Sequence, residues 1–407
     1  MESKVFAAIP WVVFLPGAGA LLAAIFARAW GGRFAVAVTT AAIVSSLGAS
    51  LYSLWFLFGE TDPAVVYFYD LYSFVQTRFL DIRVAFQFDR LSGLAVLGVT
   101  GAGSVVHFIS LRRRRGAPGA ARYFACLNLF AFSLLLLVLG RNLLVMFAGW
   151  GGVGLSSYLL MATETEEMSR ARAAQWAFII GRIGDFAFLI AFMLLVVYNQ
   201  GSIDLASLQE WAGSGVAPVL NPTNMNAICL LFILGTAGKL AQVPFCVPAL
   251  ASAEGRWWGG GVVHAAALIF AGIYPVTRLS FLFDHAPWAR TAAVVLAGLF
   301  LLWLVYRIWL RGPVARFAGV LRRAPGGPAA GKTADGVVGT RMGRTLRRVA
   351  RFCNRAVDAV LIDLFVVQGP ARGVRLLGFI PRALHNGDVQ GYMLAAVVGL
   401  ACLWIVL

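Results

Sequence analysis

Residues 224–248 read NMNAICLLFILGTAGKLAQVPFCVP, a run long and apolar enough to cross a bilayer that nevertheless carries one charged side chain, Lys239. A charge at depth in a membrane costs roughly 2.5–3.5 kcal/mol on insertion scales, so we expect a partner, a cavity or a proton path to use it. A buried lysine can lose its proton and an arginine effectively cannot. Pro244 and Pro248 predict a helix break just past Lys239, which favours this interpretation. A lysine that snorkels to the interface remains the alternative.

The whole chain has the composition of a polytopic membrane protein. Of its 407 residues, 60% are hydrophobic and 13% are charged, and the mean hydropathy is +0.80. The net charge of +16 comes from arginines in short runs between apolar stretches, which is typical of cytoplasmic loops rather than of a nucleic-acid site. The five cysteines are scattered and lack a CxxC spacing, so no disulfide framework, iron–sulfur cluster or zinc site is predicted. We expect no cofactor and no metal in this chain.

Hydropathy predicts an all-α fold of about ten transmembrane helices, one of them the broken helix that carries Lys239. The spans are expected near residues 5–27, 34–58, 88–111, 121–140, 142–162, 173–198, 225–249, 261–282, 291–310 and 389–407. The first is interpreted as a membrane span rather than as a cleavable signal peptide. In the second connection, 59–87, the alternating sequence IRVAFQF predicts a short extracytoplasmic hairpin.

The charges of the connections predict the orientation in the membrane. Basic connections contain Arg28 and Arg33, Arg112–Arg115 with Arg122, Arg170 and Arg172, and the long segment 311–355, whereas acidic residues mark 59–87 and 199–224. Basic and acidic connections alternate, so both termini are expected outside the cytoplasm, in a bacterial inner membrane.

The C-terminal part contains two segments that are too polar to span. Residues 312–340 are rich in Gly, Pro and Ala and predict a flexible linker. In the arm that follows, 341–388, apolar residues recur at helical spacing from Leu346 to Leu364, with arginines on the other faces. This pattern predicts an amphipathic helix along the membrane surface or along partner helices, with a solvated basic helix as the alternative.

Several motifs, taken together and in order, resemble the antiporter-like subunit L of proton-pumping NADH:quinone oxidoreductase, respiratory complex I. They are FDRLSGLAVLGVTGAGSVVHFISL (88–111), WGGVGLSSYLL (150–160), GRIGDFAF (181–188), GKLAQVPF (238–245), VHAAALIFAGIY (263–274) and the tail NGDVQGYMLAAVVGLACL (386–403). The resemblance implies a division into N-terminal transmembrane helices with the hairpin (1–120), one five-helix antiporter-like repeat (121–282), a further transmembrane helix (283–311), the linker (312–340), the lateral arm (341–388) and a last helix (389–407).

The resemblance also implies a proton path. In that family, a glutamate on the fifth helix, a basic–acidic pair on the sixth, a lysine on the broken seventh and a histidine on the eighth form a half-channel. Arg182 and Asp185 match the pair, Lys239 the lysine and His264 the histidine. Positions i and i+3 share a helix face, so Arg182 and Asp185 can neutralise each other. A purely structural ion pair and a hydrogen-bonded core histidine remain the alternatives.

Three departures from the family pattern are expected to matter. The fifth-helix glutamate position is Gly151, which offers no counter-charge to Lys239. After the lysine, ASAEGRWWGGG (251–261) places an arginine and two tryptophans where the family has a proline-rich turn, which predicts an anchored or plugged cytoplasmic mouth. The chain is also shorter than family members and is expected to lack the second inverted repeat, so that it has no symmetric exit path.

Two classes of function follow. The chain is either a proton-translocating membrane-arm subunit of a complex I-like assembly, or a structural, anchoring paralogue that transports nothing; an accessory of a cation-antiporter or bicarbonate-uptake system is a further alternative. Its expected partners are other membrane subunits and the lipid bilayer, with no nucleic acid. It would act as part of a translocase, because no flavin, nucleotide or cluster motif indicates redox chemistry in this chain.

Overall fold

A computed structural model describes residues 3–306 except 6, 61–64, 77–80, 115–116, 118, 164–167, 200–201, 214–221 and 240–259. The predicted linker 312–340, lateral arm 341–388 and last span 389–407 lie outside the described residues. So do the predicted helix break at Pro244 and Pro248 and most of the segment 251–261.

Helix α1, Ile9–Gly59, contains both of the first two predicted spans. Its path breaks at Gly31, whose φ of 82° and ψ of 166° lie far from helical values. A positive φ strongly favours glycine, so the sequence allows the chain to reverse there. The two halves then pack side by side, and the Ser46 hydroxyl donates to the Val12 carbonyl at 2.7 Å. The first span was predicted from Val5, but the helix begins at Ile9.

The residues before this helix belong to a small sheet instead. Strand β1, Ser3–Val5, runs parallel to β2, Val66–Gln76, which pairs antiparallel with β3, Asp81–Phe88. The predicted hairpin is therefore confirmed, and IRVAFQF forms most of its second strand because alternate residues such as Phe86 and Phe88 are fully buried. Pairing of β1 was not predicted, since three residues carry no alternating pattern.

The remaining helices confirm the all-α, polytopic membrane fold, with the sheet as an addition. They are α2 (Arg90–Arg114), α3 (Ala120–Leu139), α4 (Leu143–Ala162), α5 (Met168–Tyr198), the short α6 (Leu205–Gly213), α7 (Pro222–Lys239), α8 (Gly260–Arg278), α9 (Ser280–Phe283) and α10 (Pro287–Tyr306). Five helices of the described part are long and apolar enough to cross a membrane: α1, α2, α3, α4 and the Gly181–Tyr198 portion of α5. The predicted count of ten stays a prediction.

Helix α3 lies at the centre of the described bundle and is the most buried of these five spans. It packs closely on α4, where Gly149 leaves no room for a side chain: a Cβ there would lie 2.3 Å from the Leu137 nitrogen. Large apolar side chains such as Trp55 and Phe186 point outward instead. Such exposed apolar surface suits contact with lipid tails.

One end of the bundle gathers the sheet and two connections. Arg141, between α3 and α4, donates its backbone N–H to the Ala85 carbonyl of β3, and its guanidinium lies 3.1 Å from Asp70 and 3.4 Å from Asp204. The N-terminal strand, the hairpin, the α3–α4 connection and the segment before α6 therefore share one end.

Candidate functional site

Lys239 ends the described part of α7, and its side chain is buried, with 5% exposed. Its Nζ donates to the Trp150 carbonyl of α4 at 2.7 Å and lies 4.5 Å from the centre of the Trp150 ring. Asp185 Oδ1 of α5 lies 3.7 Å away. A snorkelling lysine would extend its ammonium to the surface, so the geometry excludes that alternative.

Arg182 and Asp185 form the predicted ion pair on α5, with Arg182 Nη2 2.7 Å from Asp185 Oδ2. The other carboxylate oxygen accepts a hydrogen bond from the Trp150 indole N–H at 2.6 Å. The Arg182 guanidinium also lies over the Phe178 ring, 4.5 Å from its centre. One carboxylate therefore holds both cations and the indole in a single cluster of three helices.

Among the described residues, the charges of this cluster do not balance. Two cations, Arg182 and Lys239, share the single carboxylate of Asp185. Two opposite charges 4 Å apart attract by about 4 kcal/mol at an effective dielectric constant near 20, while burying each ion costs several kcal/mol. One carboxylate therefore offsets about one buried cation. Of the two cations, only Lys239 can relieve the excess by releasing a proton.

Two glycines of α4 shape the cluster differently. A Cβ at Gly154 would lie 2.1 Å from Arg182 Nη2 and 3.2 Å from Lys239 Nζ, so the missing side chain leaves the space that both cations use. At Gly151, where the resemblance implies a glutamate, no atom lies within 4 Å of an added Cβ. The structure thus has room for a side chain at Gly151, and the missing counter-charge is not a consequence of crowding.

His264 lies on α8 and contacts the same helix, α4, at another point. Its Nε2 is 2.9 Å from the Ser157 hydroxyl, and its ring lies 4.8 Å from that of Phe130. No contact joins His264 directly to Lys239 in the described part of the chain. Gly154 and Ser157 are one helical turn apart, so α4 carries both contacts along one face.

Sequence reasoning missed three residues of this site. Trp150 supplies a carbonyl, a ring and an indole N–H; Gly154 supplies space; Ser157 supplies the partner of His264. All three lie in the quoted motif WGGVGLSSYLL, and their spacing of four and three residues places them on one helix face. That spacing was the available signal. Their partners, 28 or more residues away, could not be paired without the fold.

Comparison with known proteins places this geometry in a family. Residues 140–303 match the model of the NADH:quinone oxidoreductase/Mrp antiporter transmembrane family. The chain is 34% identical over 294 residues to NADH-quinone oxidoreductase subunit L of Mycobacterium tuberculosis, which covers 72% of this chain and 45% of that protein. It is 31% identical over 297 residues to the subunit L of Neisseria meningitidis, covering 71% and 44%.

A solved structure gives the same result. The Mrp complex from Dietzia sp. DQ12-45-1b contains a chain that superposes with a TM-score of 0.50 at 26% identity, over 66% of this chain and 27% of that one. The chain spans less than half the length of the curated relatives it matches. With the ordered motifs and the cluster around Lys239, these matches show that the chain belongs to the NADH:quinone oxidoreductase/Mrp antiporter transmembrane family and is an antiporter-like relative of subunit L.

Proposed function

We propose that this chain is a membrane subunit of a complex I-like assembly, in which the cluster of Arg182, Asp185 and Lys239 takes up and releases protons. The observation that carries the proposal is the burial of Lys239 against a carboxylate that already pairs with an arginine. A lysine so placed is destabilised as a cation and yet has a hydrogen-bond acceptor, the Trp150 carbonyl, in reach. It can therefore alternate between charged and neutral forms at low cost.

The proposed path continues along α4. From Lys239 beside Gly154, the next polar group on that helix face is Ser157, whose hydroxyl contacts His264. A hydroxyl both donates and accepts, and a neutral imidazole does the same through its two nitrogens, so the pair can relay a proton. His264 Nδ1 is buried and has no hydrogen-bond partner among the described residues, which leaves it available to the next carrier.

The assembly and its location form part of the same proposal. The relatives named above are subunits of NADH-quinone oxidoreductase and a chain of an Mrp complex, so the partners proposed for this chain are other membrane subunits and surrounding lipid. We place it in the inner membrane of a bacterium with both termini on the non-cytoplasmic side. No redox step and no cofactor are assigned to this chain. Its role would be limited to proton translocation that is coupled to quinone reduction.

Substitutions of Lys239 test the proposal in the assembled complex, in inverted membrane vesicles with an acid-sensitive dye. Lys239→Ala should leave assembly intact and remove the proton flux carried by this subunit. Lys239→Arg should do the same, because it keeps the charge but cannot release the proton. Lys4→Ala, in strand β1, is the matched control and should pump normally.

The anchoring alternative gives a different result. Gly151 favours the anchoring alternative. A path that passes coupling onward through a carboxylate next to Lys239 needs an acidic residue at this position, and glycine does not supply one. If Lys239→Ala assembles and pumps at the wild-type rate, the cluster is structural and the chain is an anchoring subunit. If only Lys239→Arg pumps, the positive charge itself, rather than its release, is what matters.

A further inference from the structure

A second set of buried polar groups lies between α1, α2 and α3, away from the cluster at Lys239. His107 of α2 and Asn128 of α3 are both fully buried. The His107 Nδ1 lies 2.8 Å from the Gly103 carbonyl of its own helix, and the Asn128 amide nitrogen donates to the Thr39 carbonyl of α1 at 3.1 Å. The Asn128 side chain also lies beside the His107 ring, whose centre is 5.6 Å from that of Phe124, one turn before Asn128 on α3.

These contacts fix which atoms carry hydrogens. A carbonyl oxygen only accepts, so His107 Nδ1 must be the protonated nitrogen and, in the neutral ring, Nε2 must be an acceptor. By the same argument Asn128 directs its NH₂ to Thr39, which leaves its Oδ1 as an acceptor. Both His107 Nε2 and Asn128 Oδ1 are buried, and neither has a hydrogen-bond partner among the described residues. Two neighbouring acceptors are therefore left without a hydrogen between them.

The neighbouring hydroxyls do not supply that hydrogen. Thr39 donates to the Ala35 carbonyl at 2.8 Å, Ser104 to the Thr100 carbonyl at 2.8 Å, and Thr100 to the Val96 carbonyl at 2.8 Å. Each of these hydrogens is used within its own helix. An unsatisfied buried acceptor destabilises the fold, so the pair favours whatever can donate a hydrogen bond to both atoms.

We propose that His107 and Asn128 hold one further source of hydrogen bonds between them. It is either a bound water molecule or a transferable proton carried on Nε2. A water would donate one hydrogen to each acceptor. A proton on Nε2 would make the imidazolium donate to Gly103 and to Asn128 at once, which uses every polar atom of the pair. Either way this is a second buried polar site, in the N-terminal helices, and it handles protons only if Nε2 carries the added hydrogen; it does not depend on the role proposed for Lys239.

The surroundings set the balance between the two forms. The titratable side chains packed around this stretch are Tyr123 and Cys126 of α3; Tyr123 contacts the Ser110 hydroxyl at 3.2 Å, and the Arg114 guanidinium stacks on its ring. α1 contributes the Thr39 carbonyl and the uncharged Gly19 to the surroundings of Asn128, and no charged side chain acts on the His107 ring in the part of the chain that the structure describes. Without a counter-charge, the resting form should be the neutral ring.

Solid-state NMR of the full chain in lipid bilayers, with ¹⁵N in the histidine rings, tests the proposal. The chain has four histidines, and replacing His264, His285 and His385 by Gln one at a time assigns the signals. His107 should show a protonated Nδ1, and its Nε2 should show either cross-peaks to water or, as the pH falls from about 8 to about 4, the signal of an imidazolium. The first outcome identifies a water and the second a proton.

Two variants sharpen the test. Asn128→Asp supplies a carboxylate and should increase the imidazolium fraction severalfold at a given pH, while Asn128→Leu should remove the water cross-peak and keep the ring neutral. Cys126→Ala, on the same helix, should change neither. A wild-type ring protonated on Nε2 instead of Nδ1 would overturn the proposal. So would a neutral ring without water contact over the whole pH range, and this wild-type result does not require any variant to fold.

Discussion

Single residues decide how the cations of the cluster are held, and Gly154 is the sharpest case. An added methyl group would lie 2.1 Å from Arg182 Nη2, so Gly154→Ala must displace the guanidinium and weaken its pair with Asp185. We expect a lower midpoint of thermal unfolding in detergent and reduced proton flux in the assembled complex. Gly151→Ala is the matched control: the same change on the same helix meets no atom within 4 Å and should stabilise by up to about 1 kcal/mol through helix propensity.

Trp150 tests whether the indole N–H positions the carboxylate. Trp150→Phe keeps an aromatic ring beside Lys239 but removes the hydrogen bond to Asp185. Hydrogen bonds to charged groups contribute about 1.5–3 kcal/mol, so we expect a loss of stability of that size, measured by thermal unfolding. Trp55→Phe serves as control, since that side chain is 80% exposed and should change the midpoint little. Equal midpoints for the two variants would show that the indole hydrogen bond does not stabilise the fold.

At the scale of elements, an ion pair joins the start of α2 to the end of α8. Asp89, one residue before α2, contacts Arg278 and exchanges two hydrogen bonds with Ser92 at 2.8 Å each. Burial opposes ionisation of Asp89, but the Arg278 charge and the Ser92 hydrogen bonds outweigh it and hold the pKa below its ordinary value of 3.8. A carboxylate with a lowered folded pKa stabilises the fold above pH 3.8, and this contribution is lost as the pH falls through the folded pKa.

Asp89→Asn should therefore destabilise the protein by about 1.5–3 kcal/mol at neutral pH. The difference in the free energy of unfolding between Asp89→Asn and wild type should shrink in acid. As the pH falls below 3.8, the wild-type carboxyl becomes protonated first in the unfolded and then in the folded protein. Thermal unfolding over a pH series measures it. Asp284→Asn is the control: its pair with Arg290, at 3.8 Å, is more than two-thirds exposed on both sides, and such pairs contribute little. A constant difference at every pH would show that the amide disturbs packing rather than charge.

Elements were predicted best where a local pattern dominates. The alternation in IRVAFQF and the long apolar runs follow from periodicity, so the hairpin and the membrane helices could be placed from sequence. The Arg182–Asp185 pair also follows, because both residues lie on one helix. Lys239 and Trp150 are separated by 89 positions in the sequence, and His264 and Ser157 by 107 positions. Only the packing of α4 against α7 and α8 brings each pair into contact.

For the whole molecule, the connections separate into two ends. The break at Gly31 folds α1 back on itself, and so β1 before it and β2 after it meet in one sheet. The hairpin and the α3–α4 connection lie at this end, where Arg141 is neutralised by Asp70 and Asp204. The opposite end has the arginines near Gly31 and at the end of α2. A basic excess marks the cytoplasmic side, so we predict that the sheet lies outside the cytoplasm.

Single cysteines in a background without the five natural ones test this orientation in intact cells, with a maleimide that does not cross membranes. Tyr72→Cys, on an exposed position of β2, should be labelled from outside, whereas Gly32→Cys, exposed beside the α1 break, should be labelled only after permeabilisation. Asp335→Cys, in the linker predicted from sequence, should behave like Gly32→Cys. Because β1 and β2 are hydrogen-bonded and the two halves of α1 pack together, the two ends cannot exchange sides separately. Labelling of Gly32→Cys from outside would therefore invert the orientation of the whole described bundle, and with it the direction in which Lys239 exchanges protons.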